Sequence, residues 1–345
     1  MVASVSFEDR VFGVIFGQAV GDALGLGAEF MTKENVRWHY PEGLSRYEQI
    51  IQDDHRKRWH RGDWTDDTDQ MTMILDSLLE FRRVDVCDIG RRIHNWVFHS
   101  NGLGVGNTVY AVLKHPLFVQ DPHAAAREVW ESTGRRAAAN GGVMRTSVLG
   151  LWDFHDLGRV RENAEAVCKI THFDPRCVAS CVAVSVLVNW LVKGEQPDEG
   201  LLQDVCKMAS EYDPRIAEAF QIAFSGDDIG SLKLDAEEAL GYTLKPVAAG
   251  LWALKHAGNF DEGLLPVINE GGDADSNGAV VGALLGARYG FRGIPARLIG
   301  GLTQKRYLTR VCNELLTIIS GRDESVMSGG ARLADEAMAN RRRES

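Results

Sequence analysis

Along most of the chain, apolar positions recur every three or four residues, the repeat of one helical face, and no run alternates apolar with polar for more than a few residues. Read with its capping residues, this pattern predicts helices at 7–26, 84–98, 124–131, 157–170, 201–209, 214–223, 234–239, 243–257, 260–269, 276–289, 294–300 and 305–319. Another starts near Thr65 or Asp66, with Met71, Ile74, Leu75, Leu78 and Leu79 at helical spacing. The longest apolar run, 177–192, contains Ser180, Ser185 and Asn189 and is short for a membrane span. Asp174 precedes it as an N-cap and Pro175 takes the first helical position, which is how buried helices of soluble proteins begin. The expected class is all-α. No proline-rich or low-complexity linker divides the chain, so 5–322 is expected to be one domain and 323–345 a C-terminal segment with a flexible end.

Two of these helices carry glycine at every fourth position: Gly13, Gly17, Gly21 and Gly25 in the first, and Gly278, Gly282, Gly286 and Gly290 in the late one. Each interior glycine costs a helix about 1 kcal/mol relative to alanine, so eight of them call for compensation. Close backbone approach between packed helices supplies it, and the two stripes are expected to meet in the core.

Acidic residues cluster beside both stripes. GDWTDDTDQM places Asp63, Asp66, Asp67 and Asp69 within seven residues, and Asp273 and Asp275 follow Gly271-Gly272, with Ser276 next to them. Such crowding is stable if the carboxylates are solvated at a helix start or if a cation answers them. The first reading makes Thr65 or Asp66, and Asp275 or Ser276, plain N-caps. The second makes Thr65, Asp66, Asp67, Asp273, Asp275 and Ser276 an all-oxygen donor set suited to magnesium, manganese or calcium. An EF-hand is excluded: counting from Asp63, Thr68 stands where glycine is required and Ile74 where glutamate is required.

Composition narrows the class. Of 345 residues, 45% are apolar and 25% charged, as in soluble globular proteins, and a net charge of −10 argues against a broad nucleic-acid surface. The basic run 56–58 follows Asp53 and Asp54 and reads as a solvated loop. Six cysteines form no CxxC pair, and the first residues lack a signal-peptide pattern. The expected setting is reducing and cytoplasmic, without a membrane.

Taken together, GQAVGDALGLGAEF, GDWTDDTDQM, NGGVMR, THFDPRC and GGDADSNGAVVGALLGARYG resemble, in order, the segments of the ADP-ribosylglycohydrolases, including the dinitrogenase-reductase-activating type. The resemblance spans roughly residues 7–290, and the TDDT and GGDxD motifs at its two ends are its most specific part. It implies a compact orthogonal helical domain with two magnesium or manganese ions in a cleft. It further implies a hydrolase that removes ADP-ribose from a protein side chain or small conjugate by attack of a metal-bound water at C1″ of the ribose. By matching motif positions, Thr65, Asp66, Asp67, Asp273, Asp275 and Ser276 are implied metal ligands. Asp66 or Asp67 would orient or deprotonate the water, and Glu29 would gate or assist. His172 is an implied substrate contact.

The diphosphate of such a substrate needs donors. Backbone amides of the loop holding Gly102, Gly104 and Gly106, and of the turn Asn140, Gly141 and Gly142, are candidates, because glycine permits close approach. The chain departs from many family members at Ala274 and Ser276, where threonine is usual, and Ala137 and Ala138 lack polar or aromatic groups near the substrate, leaving the acceptor open. Two alternatives stand beside this reading: a two-metal phosphohydrolase acting on ADP-ribose or a nucleotide, and a catalytically silent ADP-ribose-binding relative. A monomer is expected.

Overall fold

The computed structural model describes residues 5–100, 102–225 and 228–321. The expected segment 323–345 lies outside them. Among the described residues there are fifteen α-helices, short 3-10 turns and no sheet; two isolated antiparallel bridges are the extended pairings present.

The centre is the pair α1 (Phe7–Gly25) and α13 (Ala274–Tyr289), which run antiparallel with their glycine stripes face to face. A Cβ at Gly13 would lie 2.1 Å from the carbonyl oxygen of Gly286, one at Gly17 2.1 Å from that of Gly282, and one at Gly21 1.9 Å from that of Gly278. No side chain fits at those distances. Around this seam the helices are apolar on nearly every face, as buried helices are. Arg10 donates to the carbonyls of Ala287 and Arg288, 2.7 and 2.6 Å away, satisfying the last turn of α13 from outside.

The rest of the chain wraps this pair: α2 (Lys33–His39), α3 (Asp66–Phe81), α4 (Val86–His99), α5 (Asn107–Leu113), α6 (Pro122–Ser132), α7 (Leu157–Cys168), α8 (Pro175–Val192), α9 (Glu199–Ser210), α10 (Ile216–Ser225), α11 (Leu244–His256), α12 (Phe260–Ile268), α14 (Ala296–Gly301) and α15 (Lys305–Ile319). α8 begins as expected, with Asp174 accepting from the Arg176 amide and Pro175 leading the first turn. It is long and apolar enough to cross a membrane, but 83% of it is buried within this protein.

The expected helix at 234–239 does not form. Its residues instead make a turn followed by the 3-10 turn Glu237–Ala239. The segment is committed elsewhere: a Cβ at Gly272 would sit 2.0 Å from the Leu234 carbonyl oxygen, and Asp235 accepts from the Lys33 amide at 2.8 Å. The short helices α2 and α5 carry no periodic signal in the sequence, since seven residues give too few repeats for a period to show.

Antiparallel pairing has one positional consequence for chemistry. The C-terminal end of α1 lies beside the N-terminal end of α13, so the acidic residues attached to the two stripes share one end of the seam. The bridges hold the adjoining loops there. Gly272 and Met31 are paired by 2.7 Å bonds from Phe30 N to Gly272 O and from Gly272 N to Met31 O. Ala139 and Tyr242 pair in the same way and bring Asn140 alongside.

Candidate active site

The N-termini of α3 and α13 converge on a cleft of about 370 Å³. The first turn of α3 is held by a residue of another helix. Asp22, on α1 and fully buried, accepts at Oδ1 from the amide and the hydroxyl of Thr65, both at 2.9 Å, and at Oδ2 from the Thr68 amide at 2.9 Å. Thr65 therefore occupies the cap position of α3 without capping it, and Asp273 does the same for α13. Neither acidic cluster is a self-contained N-cap, and Asp275 and Ser276 lie inside the first turn rather than at the cap.

What these side chains face is one another. The Thr65 hydroxyl is 3.3 Å from Asp67 Oδ2 and 3.4 Å from Asp275 Oδ2. Carboxylate oxygens of Glu29, Asp273 and Asp275 lie within 4.8 Å of each other. Asp275 thus belongs to two oxygen groups at once, one with Thr65 and Asp67, the other with Glu29 and Asp273. Asp67 Oδ1 and Asp275 Oδ1 are buried without a hydrogen-bond partner. Ser276 faces Asp67 and approaches the Met144 sulfur at 3.8 Å.

The electrostatics follow from burial. Asp66, Asp67 and Asp275 are pushed well above the usual carboxylate range, first by desolvation and then by neighbouring carboxylates. Asp273 rises for the same leading reason, and Asp22 is pushed up to about 7 by burial against the opposing pull of its bonds from Thr68 and Thr65. No lysine or arginine is among the described residues lining the cleft. Buried acids without a basic partner, and with oxygen atoms left unpaired, fit a hard cation: the donor set is all oxygen, and a cation supplies the missing charge.

Glu29, Asp66, Asp67, Asp273, Asp275, Ser276, Gly104, Gly106, Asn140, Gly141 and His172 line the cleft. Thr65 stands behind it among the carboxylates. Gly102 and Gly142 do not line it: Gly102 packs on Val97, and Gly142 backs onto the thiols of Cys168 and Cys181. Gly104 has φ +94°, and a Cβ there would sit 2.7 Å from Asp66 Oδ1, so the glycine leaves room for this carboxylate. Asn140 donates to Asp273 Oδ2 at 2.6 Å.

Several contributors escaped sequence reasoning. Gln70 donates to Asp66 Oδ2 at 2.9 Å, and Arg145 stands behind Gln70. At the rim, Phe30 is 61% exposed with φ 59°, its ring centroid 5.3 Å from that of His55, and His55 Nε2 meets Glu29 Oε2 at 2.6 Å. Only the positions of these residues in space join them to the site, and none carries a spacing signal.

An all-helical domain whose buried carboxylates face a cleft, and whose Glu29, Asp273 and Asp275 could together hold a metal ion, has the architecture of a metal-assisted hydrolase. The chain belongs to the ADP-ribosylglycohydrolase family, whose model matches residues 3–325. It is 24% identical to the ADP-ribosylarginine hydrolase Tri1 of Serratia proteamaculans, over 89% of this chain and 79% of that one. It is 28% identical to the ADP-ribosyl-[dinitrogen reductase] glycohydrolase of Rhodospirillum rubrum, over 91% and 97%. Its fold is similar to that of a solved ADP-ribosylglycohydrolase-related protein complex, with TM-score 0.67 and 25% identity over 91% of this chain and 99% of that one. Family membership supports a glycohydrolase activity of this general class.

Proposed function

We propose that the protein hydrolyses the bond between C1″ of ADP-ribose and an acceptor side chain, arginine being the acceptor to test first, in a reaction dependent on two magnesium or manganese ions. The observation that carries the reading is Asp275, buried and shared between two oxygen groups in a cleft whose described lining residues include no lysine or arginine. The arginine assignment is supported by the name of the Serratia relative and by the acidity of the cleft, which suits a guanidinium leaving group.

Thr65, Asp66, Asp67, Asp273, Asp275 and Ser276 would hold the ions, with Glu29 closing the set from the rim. Ions held there would offset the carboxylates and supply the Lewis acidity that makes water a better nucleophile at neutral pH. Asp66 would take the proton of the attacking water, a role supported by Gln70 holding Oδ2 while Oδ1 faces Gly104. As the bond to the acceptor breaks, the ribose gains oxocarbenium character, which the surrounding carboxylates favour. The amides of Gly104, Gly106 and Gly141 would serve the diphosphate, and Asn107 and Thr108 at the start of α5 line the same cleft.

The test is release of intact ADP-ribose from arginine-, serine- and threonine-linked substrates, with magnesium and with chelator. Metal-dependent release from the arginine linkage is expected. Release of AMP and ribose phosphate instead would mean a phosphohydrolase, and no product at all from folded, metal-loaded protein would mean a binding protein.

A further inference from the structure

Hydrogen-bond directions behind the cleft fix the state of a group that faces it. Arg145 is fully buried, and among the described residues no carboxylate pairs with it. A guanidinium can only donate. Nη1 donates to Gln70 Oε1 at 2.5 Å, so the Gln70 amide nitrogen is turned to Asp66 Oδ2. Nη2 donates to Thr171 Oγ1 at 2.6 Å. The hydroxyl proton of Thr171 then has His172 Nδ1, 2.8 Å away, as its acceptor, and a buried hydroxyl proton left without one is disfavoured. Nδ1 is thus an acceptor.

The imidazole is neutral, because burial and then the nearby Arg145 charge push its pKa down to about 3. Its single proton therefore sits on Nε2. That atom is buried without a partner on a residue lining the cleft, and a Cβ at Gly141 would come within 3.1 Å of it. A donor so placed needs an acceptor that a ligand would bring.

We propose that Thr171 and Arg145 are positioning residues that fix His172 as its Nε2–H tautomer, so that the substrate contact the family resemblance implies for His172 is made by donation, to a phosphate or ribose oxygen of the ADP-ribosyl substrate. Through Gln70 the same guanidinium holds Asp66, so one buried cation orients two residues that line the cleft. The substrate named here rests on the reading proposed above; the tautomer does not.

The experiment is long-range ¹H–¹⁵N correlation spectroscopy of the full chain labelled at histidine, with His172 assigned by its disappearance in His172→Asn. The wild-type protein is expected to show the Nε2–H tautomer, unchanged as the pH falls to about 5, where exposed histidines are charged. Thr171→Val should shift His172 to the other tautomer or a mixture, and Thr171→Ser should restore it. A wild-type Nδ1–H tautomer, or nitrogen shifts unmoved in Thr171→Val, would overturn the proposal. If Thr171→Val does not fold, the wild-type spectrum decides alone. With substrate, Thr171→Val should lose about tenfold in kcat/KM, the scale of one hydrogen bond, and Thr171→Ser should recover it, with manganese affinity unchanged. An unaltered kcat/KM despite a shifted tautomer would refute the substrate contact. Absence of any ADP-ribose release would count against the proposed function and leave the tautomer result standing.

Discussion

Asp275 shows how much one side chain can be asked to do. It shares one oxygen group with Thr65 and Asp67 and another with Glu29 and Asp273, so removing its charge should weaken both. Asp275→Asn is expected to lower manganese affinity by at least about 100-fold, beyond the loss typical of groups that only support a ligand. In chelator its melting temperature should equal or exceed that of the wild type, because one of several mutually repelling buried carboxylates is gone. Titration calorimetry and a chelator melt check both halves, and unchanged affinity would refute the ligand assignment. At this scale the TDDT and GGDAD motifs were legible because acid crowding is visible in a string of letters. Asp22, Gln70 and Arg145 were not assigned to the site, because their partners lie elsewhere in the chain: Asp22 binds Thr65, 43 residues away, and Arg145 binds Gln70, 75 away. Spacing says nothing about where such side chains turn. Gly102 and Gly142 failed for the converse reason, since a glycine in a loop shows that the backbone is free to bend and not which way it bends.

Helix by helix, the glycine seam gives the sharpest contrast between propensity and packing. Alanine is the better helix former by about 1 kcal/mol, so propensity alone would make Gly17→Ala stabilising. The Cβ would stand 2.1 Å from the backbone oxygen of Gly282, and a backbone cannot rotate out of the way as a side chain can. The net effect is expected to be a loss of about 2–4 kcal/mol, at or above the usual range for overpacking. Gly200→Ala is the control: it lies exposed in α9, its nearest neighbour would be Asp198 Oδ1 at 3.5 Å, and it should gain about 0.5–1 kcal/mol. Urea midpoints of the two variants should move in opposite directions. The stripes were legible because a four-residue glycine repeat has no other use inside a helix, and the antiparallel seam matches that reading. The segment 234–239 misled because local pattern carries no knowledge of Gly272, whose approach fixes that stretch as a turn.

For the molecule as a whole, the site sets a conflict between stability and charge that metal should relieve. In the metal-free protein the raised carboxyls hold protons when folded and release them when unfolded, between the ordinary carboxylate value of ~3.9 and their higher folded values. Their contribution is present below that window and lost as the pH rises through it; for Asp22 the upper limit is about 7. Protons and metal compete for the same oxygens, so the rise in melting temperature given by magnesium should be small near pH ~4–5 and largest above pH ~7. Melts in magnesium and in chelator across that range test it; a shift independent of pH would mean that the ions bind elsewhere. The seam between α1 and α13 carries a further consequence, one of timing. Its two strips of glycine are separated by some 250 residues of chain, and pairings so distant are slow to form. On the ribosome the first helix emerges long before its partner exists. Until α13 has left the exit tunnel, α1 must keep an unpaired, almost wholly apolar surface from other chains, so a nascent chain halted before residue 274 should depend on chaperones in a way the finished protein does not.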